Sequence, residues 1–222
     1  MDYSFTEFFI IIILLLAFSS VFAAEHETGM YLCFVSSVGG RKKVASTKLA
    51  AVSIFTFIVT FLFSVFDTIV FTLCLEIDGF SSPVYALSSY KFTPLICSIG
   101  EYIVFLFVVR LIGFLILSVF ISLLSSVLKN SYVTFIFSMI IVFLLMALEV
   151  YGKNEVGIFS SLNPIKLIVG SDLFSNFGVV NLFNIPVFSY VMSILLGLIC
   201  FILLCLFVIK VNNKNQRSKK YD

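Results

Sequence analysis

Tryptophan is absent, histidine occurs once, and charged residues make up only 12% of the 222 positions. Each scarcity removes a class of function. The lone imidazole, His26, cannot build a multi-histidine metal centre, and Glu25-His26-Glu27 lacks the spacing that sets two imidazoles on one helical face. A net charge of +2 gives no imbalance that points to nucleic acid. The five cysteines (Cys33, Cys74, Cys97, Cys200, Cys205) form no CxxC pair, and four lie in or beside apolar runs, where they read as small hydrophobic residues. Cys74 and Cys97 fall near one membrane face, which leaves a disulfide between them open. No GxxxxGK[ST] phosphate loop occurs, because Gly39-Gly40-Arg41-Lys42-Lys43 lacks its spacing. A membrane enzyme needs a nucleophile, paired acids or metal ligands at one depth, and the scattered acids argue against it.

What remains is apolar. Hydrophobic residues make up 61% of the chain, and mean hydropathy is +1.17. Soluble domains run nearer half apolar and a quarter charged, and a chain this short has too little interior to hide the excess. Lipid must solvate much of the surface, and the 28 phenylalanines read as lipid-facing bulk. A span needs roughly 20 mainly apolar residues. Five segments qualify, at residues 5–24, 49–75, 97–124, 133–151 and 187–209. The expected fold is all-α: one polytopic transmembrane domain with a loop at 25–48, further loops at 76–96 and 152–186, and a basic tail at 210–222.

The first segment has a rival reading as a signal peptide, since Val21-Phe22-Ala23-Ala24 resembles a cleavage site. Asp2 and Glu7, with no basic residue before the apolar run, count against it. Basic residues orient the spans. Five spans place Arg41, Lys42, Lys43, Lys48, Lys129, Lys210, Lys214, Arg217, Lys219 and Lys220 on one side. That side is expected to be cytoplasmic, with the amino end outside, in a multi-pass cell-membrane protein. The opposite loops hold only Lys91, Lys153 and Lys166.

The stretch EHETGMYLCFVSSVGGRKKVASTK, residues 25–48, is more specific. Two acids suit the positive amino terminus of a short helix starting near Glu25. Met30, Cys33, Phe34 and Ser37 fall at i, i+3, i+4 and i+7, a mostly apolar stripe. Gly39 and Gly40 can turn the chain, and Arg41 to Lys48 then meet lipid phosphates or an acidic partner. Read without the spacing, this is an ordinary positive-inside loop. With the spacing, it resembles the cytoplasmic loop of ABC-2 type transporter permeases. Glu25, Glu27, Gly29, Leu32, Phe34, Ser37, Arg41 and Lys48 stand in register with that family's pattern, while Met30 and Val38 depart from its threonine and proline. Asn163-Pro164, before the last span, matches the Asn-Pro that such permeases often carry.

The resemblance implies a coupling helix that docks on a separate ABC ATPase dimer. Met30 and Phe34 would be the apolar anchors, and Glu25, Glu27 and Arg41 the polar rim. ATP and Mg would be bound by that partner, not by this chain. A second permease copy or paralogue is also implied, and an exporter is the expected function. The family usually has six spans; here the first span looks like the family's second. The alternative is a non-transporting scaffold or immunity-type protein on the same fold.

Asp67, Glu101, Arg110 and Glu149 fall within or near the spans. Charge in lipid is expensive and faces protein or water. Consecutive spans tend to be neighbours, so Asp67 and Arg110 are expected to pair. Glu101 and Arg110 lie half a turn out of phase and should not. Such a pair lines a translocation path or fixes helix packing. Small residues within the spans, Gly113 and Gly197 among them, allow close helix contact. The outer segment 152–186 is expected either to dip into the bilayer as short helices or to lie in the interface.

Overall fold

The computed structural model describes residues 5–30, 40–75, 80–86, 90, 93, 97–151, 163–170, 173–174, 179–182 and 185–218. The chain is helical: α1 (Phe5–Ser19), α2 (Ala23–Glu27), α3 (Gly40–Leu75), α4 (Ile99–Leu128), α5 (Ser131–Tyr151), α6 (Pro164–Val169) and α7 (Ser189–Ser218). A 3-10 turn at Val84–Ala86 precedes α4. Strands β1 (Val179–Leu182) and β2 (Ile185–Phe188) form an antiparallel hairpin, with Val179 opposite Phe188. That hairpin was not expected from the sequence, which suggested a loop up to 186 and a span from 187.

Among the described residues, five helical stretches are long and apolar enough to cross a membrane: Phe5–Glu27, Val44–Val70, Ile99–Leu128, Ser131–Glu149 and Ser189–Val211. They match the five expected spans, with boundaries moved by a few residues. The largest change is in α3, which starts at Gly40 and so carries Arg41 to Lys48 in its first turns. The expected glycine turn is therefore helical at its second glycine.

Local chemistry explains the ends. Ser98 accepts from the Glu101 amide, and the Glu101 carboxylate accepts from the Ser98 amide, a reciprocal cap that starts α4. Lys129 takes a left-handed conformation at φ 56° and ends that helix. Asn130 then accepts from the Val133 amide and starts α5.

α4 is the hub, touching α1, α3, α5, α6 and α7. Its buried face includes Val109, Phe114, Leu117, Val119 and Ile121. α3 and α5 instead expose rows of Phe, Ile and Leu, such as Ile54, Phe61, Leu62, Ile140 and Leu144. Lipid is the natural neighbour for such rows. Several helical serines and threonines turn their hydroxyls back to carbonyls of the preceding turn, as Thr56 does to Val52 and Ser122 to Ser118.

Candidate functional site

Three polar clusters interrupt this apolar bundle. The first lies where the 25–48 loop leaves and rejoins it. α1 and α2 are separated by a break at Ser20–Phe22. Lys48, on α3, reaches across to the Glu25 carboxylate at 2.8 Å. The same ammonium donates to the Val21 carbonyl and sits 4.7 Å from the centroid of the Phe22 ring. Glu27, at the end of α2, accepts from the Ser131 amide at 2.7 Å and from its hydroxyl at 3.0 Å. It therefore supplies the anion at the amino terminus of α5.

Both acids have partners within the chain: Glu25 is half-buried against Lys48, and Glu27 is exposed while bonded to the start of α5. The described helix here, α2, runs Ala23–Glu27; the body of the expected helix falls on residues outside the described ones. Gly29 follows in a left-handed conformation at φ 73°, with nothing within 4 Å of where a side chain would sit. Met30 is 55% exposed. Leu32, Cys33, Phe34 and Ser37 lie outside the described residues, and so does the side chain of Arg41.

The second cluster is a charged triad. Arg110, on α4, bonds the Glu7 carboxylate at 2.6 Å and stands 3.9 Å from Asp67 of α3. Thr6 donates to the other oxygen of Asp67 at 2.6 Å. Glu7 is almost fully buried at 2% exposure, whereas the Asp67 side chain is 31% exposed. The expected Asp67–Arg110 pair is thus the looser half of a three-helix arrangement. Glu7 is the tighter partner, and the sequence reading missed it. In the sequence it reads only as an acid that disfavours a signal peptide. Its position in the first turn of an apolar helix was the available signal. Glu101 takes no part: it is exposed and engaged in the α4 cap. Its carboxylate is directed to the Ser98 amide and not to Arg110.

The third cluster holds α6. Asn163 accepts from the Ile165 amide as amino-terminal cap, and Pro164 takes the first helical position, where a missing N–H costs nothing. The Asn163 amide donates to the Leu145 carbonyl at 2.9 Å and to the Glu149 carboxylate at 3.3 Å. Nothing in the sequence connects Glu149 with Asn163; the structure joins them. α6 is almost wholly buried, with Ile165, Leu167, Ile168 and Val169 each at 3% exposure or less. Gly113 and Gly197 make room for it. A β-carbon on Gly113 would stand 2.9 Å from the Ile168 backbone nitrogen, and one on Gly197 would stand 2.8 Å from Leu167 Cδ1. Among its described residues, the segment 152–186 contains the short buried helix α6, strand β1 and the start of β2.

Cys97 carries a free thiol, so no disulfide joins it to Cys74. Burial, and secondarily the Glu101 carboxylate, push that thiol above its ordinary pKa. No protein-family model, curated protein or solved structure matches this chain.

Proposed function

We propose that this chain is the membrane-spanning subunit of an ABC-2 type transporter, an exporter driven by a separate ATPase dimer. The observation that carries the reading is the way the 25–48 segment is tied to the bundle. Glu25–Lys48 joins its two ends, and Glu27 caps α5. A force applied to the loop is therefore passed to α1, α3 and α5 together. The register of Glu25, Glu27, Gly29, Arg41 and Lys48 with the family pattern supports the same reading.

In this mechanism, ATP binding closes the partner ATPase subunits, the docked loop moves with them, and the spans rock between access states. Met30 and Phe34 are the proposed anchors, with the loop and both basic segments facing the cytoplasm and the amino end outside. Two permease units, either two copies or a copy and a paralogue, would enclose the path. The Glu7–Arg110–Asp67 triad fixes α1, α3 and α4 against one another during that motion.

The test is affinity purification of the full chain in mild detergent. An ATPase with a phosphate loop should co-purify, and Met30→Asp should abolish its retention. Purification of the chain alone, with the variant indistinguishable from wild type, would overturn the reading. Stable association with membrane partners but no ATPase would favour the scaffold or immunity-type alternative.

A further inference from the structure

The break between α1 and α2 frees backbone groups at membrane depth, where each must find a partner. Ser125, on α4 and fully buried, supplies three of them. Its hydroxyl oxygen accepts from the Phe22 amide at 3.1 Å and the Ala23 amide at 3.0 Å. It donates to the Ser19 carbonyl at 2.8 Å. A hydroxyl has one proton and two lone pairs, so Ser125 is fully used. The remaining carbonyl in the break, Val21, accepts from Lys48.

α2 keeps helical hydrogen bonds of its own: Ala24 donates back to the Ser20 carbonyl in the break, and Thr28 donates to Ala24, each at 2.9 Å. One end of this short helix is held by Ser125, its flank by the Lys48–Glu25 bridge, and its far end by Glu27 on Ser131.

We infer that Ser125 is a positioning residue for coupling, the pivot about which α2 swings as a rigid lever. Lys48 is the latch that holds the lever, and Glu27 is the tip that lets go of α5. The assignment rests on the transporter reading for its purpose. Its geometry stands on the contacts above, and its test needs no ATPase.

The experiment is amide hydrogen exchange, resolved to single residues, on the full chain in phospholipid nanodiscs. Wild type is compared with Ser125→Ala and Lys48→Met. Ser125→Ala should speed exchange at Phe22 and Ala23 by about tenfold or more, since both amides lose their acceptor, and leave Thr28 unchanged. Lys48→Met should speed exchange at Ser131, as Glu27 leaves it, while Phe22 and Ala23 stay protected. The pivot is overturned if Ser125→Ala leaves Phe22 and Ala23 unchanged. It is equally overturned if Lys48→Met exposes those two amides, because the break then melts instead of turning, or if it leaves Ser131 protected. Should Ser125→Ala fail to give monodisperse protein, the Lys48→Met pattern decides alone. Failure of the transporter reading appears elsewhere, as absence of a co-purifying ATPase.

Discussion

Removing the guanidinium of Arg110 should harm the protein more than removing either acid. Arg110→Met keeps much of the side chain's length and leaves Glu7 buried without its cation. Breaking a buried pair from one side costs about 3–5 kcal/mol. Glu7→Gln keeps a hydrogen-bonding oxygen at the 2.6 Å contact but loses its charge, a change of about 1.5–3 kcal/mol. Asp67→Asn should cost about 1 kcal/mol or less, because its contact with Arg110 is 3.9 Å, its side chain is 31% exposed, and Thr6 can still donate to it. The assay is the thermal midpoint of each purified variant in one detergent, with Glu7→Gln/Arg110→Met as the double variant. Residues in one network couple by about 0.5–3 kcal/mol, so the double variant should be less damaged than the sum of its parts. Equal losses for Glu7→Gln and Asp67→Asn, or simple additivity in the double variant, would refute this ranking and restore Asp67 as the principal partner.

Other outcomes follow from the same structure. Gly113→Ala should lower the thermal midpoint more than Gly197→Ala, because the first meets the Ile168 backbone and the second the mobile end of Leu167; overpacking of this kind costs about 1–3 kcal/mol. Asn163→Ala removes the α6 cap and a donor to Glu149, and should cost about 0.5–2 kcal/mol in the same melting assay. Cys97 should alkylate slowly at neutral pH and faster as pH rises past the ordinary value of 9.0, since its raised pKa keeps the proton on sulfur. Glu101→Gln removes the nearby negative charge and should speed that labelling at fixed pH, read by mass spectrometry of the Cys97 peptide.

Much of the fold was legible because lipid imposes one crude rule: about 20 apolar residues in a row. The spans at 97–124 and 133–151 were read on that rule alone and fall on α4 and α5. What the rule does not see is a polar residue whose partner lies far along the chain. Glu7 sits at the margin of the first apolar run, and nothing local says that Arg110, more than a hundred positions later, will reach it. Ser125 is equally silent, because serine in a transmembrane helix usually bonds to its own preceding turn, as Ser118 and Ser122 do. The acids of the 25–48 loop stand out by spacing, but their partners do not, because Lys48 and Ser131 belong to later helices. β1 and β2 were missed for a related reason: four-residue strands carry too little periodicity to separate from an apolar loop.

The seat of α6 has a consequence for biogenesis. A helix of six residues is too short to hold a place in a bilayer by itself. One wall of its slot, at Gly113, is made before it in the chain; the other, at Gly197, is made after. α6 rests on α4 and α5, both made before it, and on α7, made after, so its slot is complete only once α7 has been inserted.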